Sequence, residues 1–373
     1  MSPAITPFRV EVPEADLDDL RERLARTRWP EAETVDDWSQ GMPLSYAREL
    51  CEYWRTSYDW RAAEARLNAV PQFRTEIDGL SIHFLHARSP HPNAMPLLMS
   101  HGWPGSVVEF LDVIELLTDP ADPADAFHVV CPSLPGFGFS GKPTDTGWTA
   151  ERTADAWAAL MARLGYERYA AHGVDWGSFI TAIVGETDAE HLAGIYLAMP
   201  FARPPQEQVE LSERDVAGLA ALKEFQRNEG GYSAIQTTRP QTIGYGLTDS
   251  PAGQLAWMAE KYWAWSDHDG EPGKAIPRDR LLDAVSVGWF AATAASSARL
   301  YWESQNKMAL APVHVPTGVS IFPKDGRMPR PWIESRFTDL RSWKDHEYGG
   351  HFPALEQPEV LASELRAFFR PLR

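Results

Sequence analysis

The chain has 373 residues, 44% hydrophobic and 23% charged, with 15 tryptophans and a formal charge of −17 at pH 7. That length accommodates one large core plus a subdomain, and the negative charge excludes nucleic acid or an anionic membrane surface as the working partner. Two cysteines far apart, Cys51 and Cys131, exclude a disulfide framework or a cysteine-based metal cluster. The start of the chain lacks a signal-peptide core and no run of about 18 apolar residues could span a bilayer, so a soluble cytoplasmic protein is expected.

Residues 1–95 read as an N-terminal extension that packs on a larger body. Within it, 16–26 is helical, with Leu17, Leu20 and Leu24 on one face. Residues 44–67 give a second helical pattern carrying Trp54 and Trp60, and 73–87 alternates around Asp78-Gly79, a hairpin signal. From 96 an α/β rhythm begins: a strand at 97–99, a helix at 107–117, a strand at 128–131. An amphipathic helix follows with Trp157, Leu160, Met161 and Leu164 at i, i+3, i+4 and i+7. Strands are expected at 169–171 and 193–199. Strands alternating with helices predict a mostly parallel sheet with helices on both faces. The rhythm breaks over 201–305, where 216–227, 252–265 and 280–297 read as helices without strands. It resumes with a β run at 315–322 and a last helix at 358–369. The expected organisation is therefore a core in two halves, 96–200 and 306–373, interrupted by a helical cap.

Three constellations carry chemistry. His172-Gly173-Val174-Asp175-Trp176-Gly177-Ser178 lies between a strand and a helix, with glycine two before and two after a central residue. That is the pattern of a nucleophile elbow, in which a side chain at either glycine would crowd the backbone. The central residue is Asp175 where serine is usual, and the chain has no Gly-x-Ser-x-Gly. A carboxylate nucleophile makes an ester by displacement at a saturated carbon, which points to epoxides or alkyl halides rather than to acyl substrates. Upstream, His101-Gly102-Trp103-Pro104-Gly105-Ser106 follows a strand. The backbone N–H groups of Trp103 and Trp176 are the expected oxyanion hole, and His101 reads as structural. Downstream, Asp325 in Phe322-Pro323-Lys324-Asp325-Gly326 and His351 in Gly349-Gly350-His351-Phe352 complete the order nucleophile, acid, histidine.

With these motifs in place the chain resembles α/β-hydrolase-fold epoxide hydrolases of the microsomal type, in a soluble microbial form, and the related enzymes of actinomycete natural-product pathways. The likeness extends over the extension, the His101–Ser106 loop, the elbow, the cap and the histidine loop. Members of this type often use glutamate as the acid, so Asp325 is a mild departure. The resemblance implies that Tyr232, in Gly230-Gly231-Tyr232-Ser233, and Tyr301, in Arg299-Leu300-Tyr301-Trp302, are the phenols that hold the epoxide oxygen. Tyr245 and Tyr262 compete for that role. Trp103, Trp176 and Phe352 are expected around the substrate, and Trp257, Trp263, Trp265, Trp289 and Phe290 suggest an aromatic pocket or cap-to-core packing. The substrate implied is a small apolar epoxide, with water as co-reactant, no metal or organic cofactor, and a homodimer as an option. Two other readings compete. One is a haloalkane dehalogenase with the same nucleophile, whose halide would need indole or amide donors instead of phenols. The other is a catalytically silent binder that uses the cap cavity for a small ligand.

Overall fold

A computed structural model describes residues 4–304 and 310–373. The expected boundary between cap and second core half, at 305/306, lies outside the described residues. The described strands form one nine-stranded sheet: β1 (Thr6–Phe8), β2 (Gln72–Ile77), β3 (Leu80–Ala87), β4 (Met95–Ser100), β5 (Phe127–Pro132), β6 (Tyr169–Gly173), β7 (Leu192–Ala198), β8 (Thr317–Ile321) and β9 (Leu340–Asp345). Their spatial order is β1-β2-β3-β5-β4-β6-β7-β8-β9. The pairs from β5 to β9 are parallel, whereas β1, β2 and β3 form an antiparallel ribbon joined antiparallel to β5.

The sequence dictates this arrangement locally. The β2–β3 turn has φ of 54° at Asp78 and 79° at Gly79. Two consecutive left-handed residues match the twist of a tight hairpin. Every residue of β6, β7 and β8 is buried, as strands covered on both faces require. The helix Ala150–Arg163 starts at Thr149, whose side chain accepts the Arg152 N–H, and buries Trp157, Leu160 and Met161 completely. Burial of a large apolar side chain contributes roughly 1.5–3 kcal/mol.

Several elements depart from the sequence expectation, among them the helix Arg330–Arg336, which it did not contain. The stretch 44–67 is two helices, Leu44–Thr56 and Trp60–Ala69, because Asp59 caps the second by accepting the Ala62 N–H. The stretch 280–297 is also two, Arg278–Phe290 and Ala294–Ser304, bent by 89° at a break where Ala292 has φ of 50°. Strands β1 and β9 gave no period-2 signal: β1 has three residues, and β9 is a half-exposed edge rich in charge (Leu-Arg-Ser-Trp-Lys-Asp). Charged edges of that kind resist strand addition.

Besides joining the sheet through β3, the N-terminal segment docks on the cap helices. Trp38 stacks on Trp263 at 4.3 Å, the Trp54 indole N–H donates to Ser286 Oγ at 3.0 Å, and Trp60 packs on Phe290 at 4.8 Å. Asp283, buried, accepts from the Tyr58 hydroxyl at 2.8 Å and from Arg66 at 3.1 Å. Three of the five cap aromatics thus serve packing, though against the N-terminal segment and not the core: Trp263 and Phe290 meet Trp38 and Trp60, and Trp289 lies beneath the Arg23 guanidinium. Among the described residues no single helix is long and apolar enough to cross a membrane.

Candidate active site

Strands β4 and β6 are parallel neighbours, with Ser100 paired to Gly173 at their C-terminal ends. The loop after β4 and the elbow after β6 therefore emerge side by side, at the edge where open α/β sheets bind ligands. Asp175 sits on the elbow with φ of 49°, a left-handed conformation that costs a non-glycine residue on the order of 1–3 kcal/mol. The flanking glycines are sterically required. A Cβ at Gly173 would overlap the Gly177 carbonyl, one at Gly177 would overlap the Ser100 carbonyl, and one at Gly102 would overlap the Asp175 carboxylate.

The Trp103 N–H donates to Asp175 Oδ1 at 2.8 Å. The Trp176 N–H is the first of the helix Trp176–Thr187, among the four that helix geometry leaves without an intrahelical acceptor. His101 is fully buried. Its Nε2 accepts the Leu134 N–H at 3.2 Å, so Nδ1 carries the proton and donates to the Gly102 carbonyl at 3.0 Å. Burial pushes its pKa down to about 4. It is a neutral strut for the loop.

His351 arrives from the loop after β9. Gly349 takes φ of 104°, and a Cβ at Gly350 would overlap the Trp265 carbonyl. That same carbonyl accepts the His351 N–H at 2.9 Å. The Glu356 carboxyl clamps the loop by accepting the Asp267 N–H at 2.7 Å and the Phe352 N–H at 3.0 Å. His351 Nδ1 lies 3.0 Å from Asp325 Oδ1, and Nε2 lies 3.5 Å from Asp175 Oδ2. Burial works against the imidazolium, but the two carboxylates outweigh it and raise the pKa to about 10. The setting of His351 between the two carboxylates thus favours the imidazolium.

A cavity of about 390 Å³ opens over this trio, and Asp175, Asp325, His351, Tyr232 and Tyr301 all line it. The phenols come from cap helices Gly231–Thr238 and Ala294–Ser304. The Tyr232 ring stacks on Trp103 at 4.9 Å and meets Tyr301 edge-on at 5.9 Å, while Tyr301 stands edge-on to Trp176 at 4.9 Å. Burial raises the pKa of both phenols well above the ordinary value, so both are protonated donors at neutral pH. The buried Tyr301 hydroxyl lies within reach of Tyr232 and Trp176. Of the competing tyrosines, Tyr245 is 70% exposed, and Tyr262 stacks on Phe352 at 4.3 Å away from the cavity.

The expected pocket wall needs correcting. Trp176 lines the cavity, but Phe352 is committed to its stack on Tyr262, and Trp103 faces a separate space of about 30 Å³ together with Trp257. Of the five cap aromatics, Trp265 alone lines the main cavity. The apolar wall comes instead from Phe179, Met199, Leu222 and Phe225, which the sequence reading missed. Phe179 lies four residues after Asp175 on the elbow helix, and Leu222 and Phe225 share a face at i, i+3. That periodicity was visible, but it does not say which body the face meets.

The raised pKa of His351 makes a stability prediction. Its folded value, about 10, exceeds the unfolded value of about 6.5, so its contribution is complete below pH ~6.5 and is lost as pH rises toward ~10. Glu109 and Glu356, pushed up by burial to about 8 and about 7 against the lowering effect of the His351 charge, also lose stability as pH rises, so the comparison reads His351 together with its influence on these two carboxyls. Urea unfolding of the wild type and of His351→Gln from pH 6 to 10 should show the wild type losing its advantage over that window. Parallel curves would contradict the assignment.

The strand order and strained elbow define the class: an α/β hydrolase whose nucleophile position holds a carboxylate beneath a helical lid. Residues 5–110 match the family model "Epoxide hydrolase N terminus" and 95–231 match "alpha/beta hydrolase fold". A protein of Stigmatella aurantiaca (strain DW4/3-1) is 51% identical, covering 99% of this chain and 86% of its own. Epoxide hydrolase 1 of Sus scrofa is 34% identical over 98% of this chain and 88% of its own. The solved structure of Aspergillus niger epoxide hydrolase superimposes with a TM-score of 0.90 at 35% identity, covering 100% of this chain and 97% of that one. The juvenile hormone epoxide hydrolase of Bombyx mori superimposes with a TM-score of 0.94 at 30% identity, covering 100% and 95%. The chain belongs to the epoxide hydrolases of the α/β-hydrolase fold.

Proposed function

We propose that the protein opens small apolar epoxides to vicinal diols through a covalent ester on Asp175. The observation that carries this is the setting of the carboxylate. One oxygen is held by the Trp103 N–H at 2.8 Å, and the other lies 3.5 Å from His351, in a cavity shared with two protonated phenols.

In the first step Tyr232 and Tyr301 donate to the epoxide oxygen. Asp175 Oδ2 attacks a ring carbon from the opposite side, the C–O bond breaks, and a phenol proton passes to the departing alkoxide. Esterification removes the Asp175 charge. Two of the contributions that hold His351 protonated, its hydrogen bond and its Coulomb attraction to Asp175, disappear with that charge. The imidazolium then releases its proton, which balances the one the phenol gave up. Neutral His351, with Nδ1–H still on Asp325, accepts a proton from water as that water attacks the ester carbonyl carbon. The Trp103 and Trp176 amides stabilise the oxyanion. The carboxylate, the imidazolium and the diol are restored together. Alkylation thus switches His351 from counter-ion to base, and a resting pKa far above neutrality is compatible with base catalysis in the second half-reaction.

A single turnover in ¹⁸O-enriched water tests this. The isotope should enter the peptide containing Asp175 while the first diol released carries only light oxygen. Label in the first diol with none in the protein would mean direct attack by water and would end the ester mechanism.

A further inference from the structure

Lys261 is 5% exposed and takes no part in the chemistry proposed above. A buried ammonium needs compensation, and Lys261 has two sorts. Its Nζ lies 2.6 Å from Glu260 and 3.4 Å from Glu229. It also lies 5.0 Å from the centre of the Tyr232 ring and 5.7 Å from that of Trp265, within the range at which a cation is attracted to an aromatic face.

These partners hold the part of the cap that carries Tyr232. Glu229 ends the helix Glu213–Asn228, and Gly230 and Gly231 separate it from Tyr232. A Cβ at Gly230 would crowd the Gln226 carbonyl, whereas one at Gly231, the first residue of the helix Gly231–Thr238, would meet nothing within 4 Å, so the turn packs closely at the first glycine and stands open at the second. Lys261 grips the segment on both sides of the glycine pair, through the Glu229 carboxylate before it and the Tyr232 ring after it. Lys261 is itself anchored on the helix Pro251–Trp265, one turn before Trp265, whose carbonyl holds the His351 N–H at 2.9 Å.

We propose that Lys261 is a positioning residue for ring opening: it orients the Tyr232 phenol by bracing the glycine pair and by holding the ring with its charge. The idea rests on the reading of Tyr232 as a proton donor. It makes a demand that a merely structural ion pair does not. Loss of the cation must slow formation of the ester and spare its hydrolysis, because hydrolysis uses His351, Asp325 and the backbone amides and needs no phenol.

The two steps are separable by stopped-flow tryptophan fluorescence under single-turnover conditions with styrene oxide, since Trp176 and Trp265 line the cavity. For Lys261→Met the ring-opening rate should fall roughly 10- to 100-fold, with hydrolysis within about twofold of wild type. Lys261→Arg, which keeps the charge, should recover most of the loss. Glu229→Gln cuts the tie to the backbone while leaving the Glu260 partner, and should fall in between; it carries the test if Lys261→Met does not fold. Hydrogen exchange at residues 230–232 should accelerate in the weakened variants and stay as in wild type for Lys261→Arg. An equal fall in both steps, an unchanged ring-opening rate, or no recovery with arginine would each overturn the proposal. A wild type that opens no epoxide would instead remove the functional reading, and the exchange measurement would still decide whether Lys261 braces the segment.

Discussion

His351→Gln should stop after its first half-reaction and accumulate as the Asp175 ester. Glutamine retains an N–H donor for Asp325 but cannot take a proton from water, and general-base help of this kind is worth on the order of 10²–10⁴ in rate. Ring opening uses the carboxylate and the phenols, so it should persist. With styrene oxide, steady-state turnover should fall by roughly that factor, while intact-protein mass spectrometry shows one substrate mass added and peptide mapping places it on the fragment containing Asp175. The variant has a structural cost as well. His351 lies between Asp325 at 3.0 Å and Asp175 at 3.5 Å, and breaking a buried ion pair typically costs about 3–5 kcal/mol. The adduct should therefore be sought at a temperature where circular dichroism confirms the native fold. A folded variant that stays unmodified would contradict the division of labour between Asp175 and His351.

Removing both phenols should show the opposite kinetic signature. In a Tyr232→Phe/Tyr301→Phe protein the epoxide oxygen would have to leave as a bare alkoxide, and ring opening should slow by roughly 10²–10⁴ with no ester accumulating. Ring opening at the wild-type rate in that folded protein would remove the phenols from the mechanism.

How much of this was legible in the sequence differs from residue to residue. The elbow under Asp175 was, because it needs glycine two before and two after: a Cβ at Gly173 would meet the Gly177 carbonyl, and one at Gly177 the Ser100 carbonyl at the end of the neighbouring strand. The loops that carry Trp103 and His351 were legible for a related reason: a glycine leaves its signature wherever the backbone is closely approached, by the Asp175 carboxylate at Gly102 and by the Trp265 carbonyl at Gly350. Tyr232 and Tyr301 came from the likeness to a family, since a tyrosine in a helix carries no local sign of what it faces. Phe352 was misplaced because its neighbour in sequence is His351, whereas its ring is taken by Tyr262, ninety residues earlier. The break at 291–293, which separates the helix bearing Tyr301 from the one before it, was also missed. Ala292 adopts a positive φ there with no glycine to announce it.

The sequence by itself determined the glycine-flanked turn that carries Asp175, the alternation that makes the sheet parallel and buried, and the chain order of Asp175, Asp325 and His351. The first two are written in glycine spacing and hydrophobic periodicity, patterns readable over a few residues. Tertiary structure alone decided which phenols meet over the carboxylate, which aromatics wall the cavity, and that Lys261 lies beneath the Tyr232 ring. Those contacts join segments far apart in the chain, and they depend on the angle at which the cap helices settle on the core. That angle is set by packing between faces, and a periodic pattern identifies a face without naming its partner.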